Sequence, residues 1–299
     1  MTAARYRSPA AFRAAVEAQL RAARTRTGRP LNQLRRQYVT QRFLARVYAQ
    51  HNPEWVLVGG TALLARIPAA RHSKDVDFVH PADLSSAVED LSQLASLRPA
   101  PDLFVFDVTL GSKPVSDNKI NVRITARLGV AVYDMFTVDI TRRDVVGAVE
   151  AVHADPVIEV DDVGPLPPFA AVPIQQQIAD KLCAMYEIHW HGSQSVPSSR
   201  YRDLVDLVII SFDERTPIVA DAVASALAEE QRRRGMTVPV DLPVPAPTWA
   251  AGYRSIAVEY LATSLHGIDA AMGRLRGFAG PVLAGTAAGL WALDGWRES

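Results

Sequence analysis

The amino-acid sequence predicts an α/β (α+β) fold with two lobes: a mixed β-sheet flanked by helices, followed by a helical lobe. Two observations lead to this prediction. Short apolar runs with strand-like alternation are interleaved with helical patterns as far as residue 140. Beyond a proline-rich stretch at residues 165–168, the patterns are helical. We therefore expect one domain over residues 1–165 and a second over residues 166–299.

The N-terminal domain is expected to open with two helices. Ser8-Pro9 supplies a cap and a first-turn proline, and Gly28-Arg29-Pro30 supplies the break between them. A buried strand then ends at Gly59-Gly60, and a short helix begins at Thr61. The expected helices are 8–26, 31–50, 61–66 and 82–96, and the expected strands are 55–58, 75–79, 103–109, 120–125 and 135–140.

The C-terminal domain is expected to be helical throughout. Its proline-rich segment, residues 238–249, is typical of a semi-rigid connector that lies on its own protein. The expected helices are 174–190, 201–212 and 217–234, with two more near 248–275 and 281–295.

Composition favours a globular protein of the cytoplasm. Of 299 residues, 48% are hydrophobic and 21% charged, and the net charge of zero argues against a surface that coats nucleic acid uniformly. The single cysteine, Cys183, excludes an internal disulfide and suits a reducing compartment. The longest uncharged run contains Pro281 and falls short of the ~20 apolar residues of a membrane span, so no membrane association is expected.

Positive charge is concentrated near the N-terminus. Between Arg5 and Arg46 there are eleven arginines and one acid, Glu17. This segment could meet RNA phosphates, but a solvated helical face is the more common explanation of such a pattern.

The strand DVDFV carries the leading candidates for chemistry. Because side chains alternate across a strand, Asp75 and Asp77 should share one face while Val76 and Phe78 point into the core. Two neighbouring carboxylates can share a pair of divalent ions about 3.5–4 Å apart, the spacing of two-metal phosphoryl transfer. Mg²⁺ suits carboxylate and triphosphate oxygens, with Mn²⁺ as the alternative.

The double glycine before this strand indicates a phosphate site. Without Cβ atoms, Gly59 and Gly60 let the backbone approach a phosphate closely, and the helix that follows presents free N–H groups to an anion. The sequence therefore predicts a site for a metal-bound nucleoside triphosphate (NTP). A third carboxylate could complete the metal site: Asp139, near the end of a later strand, is one candidate and Asp107 is its competitor, although a strand-end aspartate can also simply satisfy a turn.

The helical half contains weaker motifs. Lys181 lies beside the apolar stripe of its helix, where it is either a functional group or an ordinary surface lysine. Asp203 and Asp206 share a helical face, yet first-turn acids commonly only suit the helix dipole. His189 and His191 are expected at a helix end in a capping or surface role.

Five motifs, GGTALLAR, SKDVDF, VDI, KLCAM and RYRDLVDL, occur in this order within residues 55–212. The series resembles that of the AbiEii/MenT-type nucleotidyltransferase toxins of type IV toxin–antitoxin systems, in the polymerase-β-like superfamily. The gap between Gly60 and Asp75 is slightly long for that superfamily, and the arginine-rich helices lie outside the motifs.

The resemblance implies an enzyme that transfers a nucleoside monophosphate (NMP) from an NTP to RNA, foremost tRNA 3′ ends, and so blocks translation. A cognate antitoxin would be its partner. The implied catalytic residues are Asp75, Asp77, Lys181 and Asp206; the nucleotide-binding residues Gly59, Gly60, Thr61, Arg66, Ser73 and Lys74; and the metal ligands Asp75, Asp77 and Asp139.

Two alternatives stay open at the level of sequence. The acceptor could be a small molecule or a protein hydroxyl, or the protein could bind NTP without catalysis. A further hypothesis is inhibitory phosphorylation of Ser73, because a phosphate there would occupy the place of the substrate's own.

Overall fold

A computed structural model describes residues 6, 8–50, 52–98, 102–111, 116–144, 148–192 and 194–298. The chain divides into two compact units. The sheet unit contains the residues up to Pro68 together with His72–Val172, and the helical unit contains Ala69–Arg71 and the residues from Pro173 onward. The predicted boundary after residue 165 lies inside the sheet unit, because a last strand follows it.

The sheet unit is a mixed seven-stranded sheet with helices, as the sequence predicts. In the described residues its elements are α1 (Pro9–Thr27), α2 (Leu31–Val47), β1 (Val56–Val58), α3 (Gly59–Arg66), β2 (Asp75–His80), α4 (Leu84–Ser96), β3 (Phe104–Leu110), β4 (Lys119–Leu128), β5 (Ala131–Arg142), β6 (Glu150–Val152) and β7 (Phe169–Ala171). The strand order is β3-β4-β5-β2-β1-β7-β6.

Local sequence explains the first helices. The Ser8 side chain accepts a hydrogen bond from the Ala11 N–H, Pro9 occupies the first turn, and Gly28 ends α1 at φ 71°. The Phe43 ring of α2 packs edge-on against Phe106 and Phe136 of the sheet, with ring centroids 5.5 and 5.4 Å apart. Burial of one such ring stabilises the unit by about 1.5–3 kcal/mol.

Strand β2 lies in the middle of the sheet. It runs antiparallel to β1 on one side and parallel to β5 on the other, with Asp77 opposite Val58 and Asp139. Burial alternates at its start as predicted: Val76 and Phe78 are buried, whereas Asp75 is exposed and Asp77 intermediate. The sheet therefore holds the candidate acids on the face opposite Val76 and Phe78.

One prediction for this unit needs correction. Helix α3 begins at Gly59, two residues before the predicted start at Thr61, and Gly59 turns the chain out of β1 at φ 66°. Beyond β5, strand β6 pairs with β7, and β7 pairs in parallel with β1.

The helical unit has five α-helices in its described residues. Its elements are α5 (Ile174–Tyr186), β8 (Ile188–His191), β9 (Gln194–Pro197), α6 (Tyr201–Ser211), α7 (Ala220–Arg234), α8 (Trp249–Tyr260), a 3₁₀ turn (Thr263–Leu265), α9 (Ile268–Leu283), β10 (Leu290–Ala292) and β11 (Gly295–Arg297). The two strand pairs are separate antiparallel hairpins.

Both hairpins replace predicted helix. Helix α5 ends at Tyr186, and His189 and His191 lie on β8, because Gly192 at φ 63° turns the chain back. The predicted helix 281–295 is also wrong. Leu293-Asp294 forms a tight turn there between Ala292 and Gly295, and the Trp296 and Trp291 rings pack on Phe278. No helix among the described residues is long and apolar enough to cross a membrane.

Candidate active site

Gly59 lies close to the Asp77 carboxylate. A Cβ atom added to Gly59 would lie 2.5 Å from Asp77 Oδ2 and 3.1 Å from its Cγ. The backbone of Gly59 also has φ 66°, in a region that residues other than glycine rarely adopt. The position therefore needs glycine twice over, and the backbone at the start of α3 approaches the Asp77 carboxylate directly.

The hydroxyl groups of Thr61 and Ser73 converge on Asp75. Thr61 Oγ1 donates to the Asp75 carbonyl at 2.7 Å and Ser73 Oγ donates to the same oxygen at 3.0 Å. Both residues also line a pocket beside α2, with Gln37 and Thr40. Thr61 and Ser73, two predicted nucleotide-binding residues, thus fix the first residue of β2. Lys74, which lies between Ser73 and the strand, is exposed.

Arg66 makes contacts that anchor it within the sheet unit. Its Nη1 lies 2.5 Å from Glu150 Oε2, and its Nη2 donates to the Val172 carbonyl at 3.0 Å. These bonds tie the end of α3 to β6 and β7. The predicted contact between Arg66 and a triphosphate stays a prediction.

The position of the third acid favours Asp139 over Asp107. Asp139 is the direct neighbour of Asp77 across the β2–β5 pair, whereas β3, which carries Asp107, is separated from β2 by β4 and β5. Asp107 pairs instead with Arg127 Nε at 2.6 Å. Asp139 is itself engaged: Asn121 Nδ2 donates to Oδ1 at 2.6 Å, and Lys119 Nζ lies 2.6 Å from Oδ2.

The donor set fits a divalent ion held by two carboxylates. Among the described residues, no group of three or more His, Cys, Asp or Glu side chains is close enough to hold an ion. Mg²⁺, however, is usually bound through one or two carboxylates, substrate phosphates and water. Asp75 and Asp77, on one strand face beside Gly59, meet that requirement without a third acid.

Lys181, Asp203 and Asp206 meet in the interior of the helical unit. Lys181 Nζ lies 2.6 Å from Asp206 Oδ2 and 3.3 Å from Asp203 Oδ1, and all three side chains are buried. Arg71 Nε lies 3.0 Å from Asp206 Oδ1, and Arg200 Nε 2.5 Å from Asp203 Oδ2. Lys181 is therefore not the surface lysine that its helix allowed, and the two acids do more than suit a helix dipole.

Electrostatics keeps this buried cluster charged. Burial opposes the charged form of Lys181, but Asp206 and Asp203 outweigh it and raise the pKa of the amine above its ordinary value. Burial likewise opposes the Asp203 carboxylate, but Lys181 and Arg200 lower its pKa below the ordinary value. The catalytic role of Lys181 and Asp206 stays a prediction.

Many of the N-terminal arginines serve the fold. Arg35 pairs with Glu17, and Arg36 with Asp134. Arg42 and Arg46 share the buried carboxylate of Asp102, each at 2.8 Å. Arginines that α1 leaves exposed are Arg13, Arg21, Arg24 and Arg26, while Arg5 and Arg7 lie outside the described residues.

Sequence reasoning missed four residues that contact the candidate acids: Lys119 and Asn121 at Asp139 in the sheet unit, and Arg71 at Asp206 and Arg200 at Asp203 in the helical unit. Lys119 is one of only four lysines in the chain, and that scarcity was the available signal. Its pairing with Asp139 depends on the β4–β5 register, which the sequence does not give.

A mixed sheet that sets a glycine turn against paired strand carboxylates is the arrangement of a nucleotidyltransferase. The family model described as nucleotidyl transferase AbiEii toxin, type IV toxin–antitoxin system, matches residues 42–274. The chain therefore belongs to the AbiEii nucleotidyltransferase toxin family, and the resemblance read from its motifs is confirmed. No curated protein matches the chain significantly.

A solved structure with a TM-score above 0.5 shares the fold. The chain is similar to MenT4, a nucleotidyltransferase toxin from Mycobacterium tuberculosis H37Rv, with TM-score 0.54 and 19% identity over 90% of this chain and 98% of that one. JHP933 from Helicobacter pylori aligns with TM-score 0.48 and 16% identity over 83% of this chain and 91% of that one. At such identities the likeness to MenT4 concerns the fold alone.

Proposed function

We propose that this nucleotidyltransferase is a metal-dependent toxin that transfers NMP from an NTP to RNA, foremost the 3′ end of tRNA, and thereby blocks translation. The observation that carries the proposal is the contact of Gly59 with the Asp77 carboxylate. Because Gly59 has no Cβ, the backbone at the start of α3 lies against an acid of the central strand, which brings the N–H groups of the helix start close to the proposed ion and its phosphates.

Each residue of the sheet unit has a proposed task. Asp75 and Asp77 bind the divalent ion, preferably Mg²⁺, with Mn²⁺ as the alternative. When bound, the ion neutralises the triphosphate and the departing pyrophosphate. Thr61 and Ser73 donate hydrogen bonds to the Asp75 backbone carbonyl and so fix the position of the Asp77 carboxylate, two residues further along β2. Gly59, Gly60 and Lys74 bind phosphate oxygens.

Lys181 and Asp206 have proposed tasks in the same reaction. Lys181 offsets triphosphate charge, and Asp206, 2.6 Å from its Nζ, orients the amine. The raised pKa keeps the amine charged at neutral pH, which suits contact with a polyanion. Arg71 Nη2 donates to the same Oδ2 of Asp206 at 3.2 Å, and its Nε lies 3.0 Å from Oδ1, so that the carboxylate has a second cation beside it.

RNA is the preferred acceptor because of the exposed arginines on α1. Arg21, Arg24 and Arg26 face solvent on the described part of α1, next to the ion-paired arginines of α2. They supply positive charge for phosphates on a chain whose net charge is zero. The antitoxin that the family implies is the proposed protein partner.

The test combines purified protein with each α-labelled NTP in turn and total RNA, followed by sequencing of the RNA 3′ ends. We expect label on tRNA that depends on a divalent ion. Asp77→Asn should lower transfer by about 100-fold or more, because it removes charge at the ion. Asp107→Asn is the matched control: it removes a carboxylate of the same sheet that pairs with Arg127, and transfer should be unchanged.

Other outcomes identify the alternatives. Label on a small molecule or a protein, with none on RNA, would assign a different acceptor to the same chemistry. NTP bound without transfer to any acceptor would contradict catalysis. Equal transfer by wild type and Asp77→Asn would place the site elsewhere.

A further inference from the structure

The third acid of the candidate site is paired with a lysine. Across β2, β5 and β4, the register places Asp77, Asp139 and Asn121 side by side, and Lys119 is two residues from Asn121 on the same face of β4. The Lys119 amine reaches diagonally to Asp139, a reach that long side chains make between neighbouring strands.

Both oxygens of Asp139 are engaged by groups of β4. Lys119 Nζ lies 2.6 Å from Oδ2, and Asn121 Nδ2 donates to Oδ1 at 2.6 Å. The two side chains of the ion pair are only partly exposed, 34% for Lys119 and 21% for Asp139. A metal ion could bind to Asp139 only by displacing one or both of these partners.

The Lys119–Asp139 ion pair balances negative charge among neighbouring acids. Asp75, Asp77 and Asp139 project from one face of two adjacent strands, and like charges on such neighbours repel one another. Lys119 places one positive charge on the outermost of the three. In a chain with 32 basic residues but four lysines, this compact ammonium occupies a position where a single point charge suffices.

We propose that Lys119 is the permanent counter-ion of Asp139, so that Asp75 and Asp77 alone hold the divalent ion and Asp139 neither ligates it nor serves as a base. The inference rests on the proposed function, since it presupposes an ion at Asp75 and Asp77. It assigns Lys119 as a positioning residue that neutralises the third acid and keeps it away from the ion.

The decisive variant is Lys119→Met combined with Asp139→Asn. This double variant removes both charges together, so the net charge near the ion is unchanged and only the possible ligand is lost. Single Asp139→Asn is less informative, because it leaves Lys119 unpaired and repels any cation. Asp107→Asn with Arg127→Met is the matched control, since it removes a neighbouring carboxylate–cation pair of the same sheet.

Mn²⁺ binding, measured by electron paramagnetic resonance with a non-hydrolysable NTP analogue present, reads out the ion without turnover. We expect the Lys119→Met/Asp139→Asn variant to bind Mn²⁺ within about threefold of wild type, and Asp77→Asn to bind it at least about tenfold more weakly. Lys119→Met alone should bind more tightly than wild type, because it frees a carboxylate.

Two failures are distinguishable. If wild type binds Mn²⁺ and the double variant loses more than about threefold, Asp139 is a ligand and the inference alone is overturned. If wild type binds no Mn²⁺ with any NTP analogue and transfers no nucleotide, the proposed function fails and takes the inference with it. Thermal unfolding of each variant confirms that the folded protein is compared.

Discussion

At the scale of single residues, Gly59 links the backbone to the chemistry. Its φ of 66° and the 2.5 Å that would separate an added Cβ from Asp77 Oδ2 are separate reasons for glycine. Alanine at this position would be strained at that φ and would clash with Asp77, so the Asp77 carboxylate would have to move away from the place where it is proposed to bind the ion.

We predict that Gly59→Ala lowers nucleotide transfer by about 100-fold, the usual cost of an ångström-scale displacement in an active site. Gly28 provides the matched control, because it has φ 71° at the end of α1 with open space around its Cα. Both alanines cost about 1–2 kcal/mol in the left-handed region. Transfer rates measured per folded molecule should fall for Gly59→Ala only; an equal fall for Gly28→Ala would refute the steric argument.

Residue types and spacing were enough to predict the acids and the turn. Alternation along β2 gives Asp75 and Asp77 one face, because a strand has a period of two whatever its neighbours are. The role of Lys119 was not predicted, because its partner Asp139 lies on another strand and the contact depends on strand register. The interior position of Lys181 was missed for the same reason: its partners lie on another helix.

At the scale of elements, a buried ion pair attaches α2 to the start of β3. Arg42 and Arg46 both contact Asp102, and Arg46 also donates to the Phe104 carbonyl at 2.8 Å. Burial alone would raise the pKa of Asp102, but the charges and hydrogen bonds of Arg46 and Arg42 outweigh it and lower that pKa below its ordinary value.

The sign of the pH dependence follows. A carboxyl with a lowered folded-state pKa stabilises the protein above its unfolded pKa of about 4, and this contribution is lost as the pH falls through the folded pKa. We predict that Asp102→Asn destabilises the sheet unit by about 3–5 kcal/mol at pH 7, because two buried guanidinium groups lose their anion.

Urea unfolding of wild type and Asp102→Asn from pH 7 to pH 3 measures this effect. The difference in unfolding free energy should hold down to about pH 4 and shrink below it. Asp134→Asn, which breaks the more exposed pair with Arg36, should cost about 1 kcal/mol or less. A difference between wild type and Asp102→Asn that is constant down to pH 3 would contradict the assigned ionisation.

Helices and strands with a long periodic pattern were predicted correctly. Elements whose type depends on a tight turn were missed. Helices α1, α2 and α4 follow from caps and periodicity. The 290–297 hairpin was predicted as helix because alanine and leucine around it favour helix, and because its turn, Leu293-Asp294, lacks the glycine that usually marks a two-residue hairpin loop. At 188–191, the apolar pattern of α5 runs past its true end, and Gly192 was the signal for the turn.

At the scale of the whole molecule, each unit has its own buried charges. Among its described residues, the helical unit contains a buried cluster, Lys181 with Asp203 and Asp206, and a partly exposed one, Arg234 with Asp180, Glu187 and Glu230. The two clusters have different proposed tasks. The first is proposed to act in catalysis, because only its residues lie in the motifs of the family, and the second is proposed to stabilise the fold. Fold alone does not distinguish them.

We predict that Lys181→Met leaves a folded but inactive protein. Asp203 keeps Arg200 and Asp206 keeps Arg71, so neither carboxylate loses its last cation, while transfer should fall by about 100-fold through loss of charge at the triphosphate. Arg234→Met should instead lower stability by about 1.5–3 kcal/mol per hydrogen-bonded charge lost and leave transfer per folded molecule unchanged.

Transfer rates normalised to the folded fraction separate the two cases. If Lys181→Met retained wild-type transfer, the buried amine would be a structural counter-ion for Asp203 and Asp206, and the nucleotide would be handled without it. If Arg234→Met lost as much transfer per folded molecule as Lys181→Met, activity would report on packing of the helical unit in general. If both variants fold and only Lys181→Met loses transfer, then Lys181 neutralises the charge of the nucleotide, and Arg234 stabilises the fold.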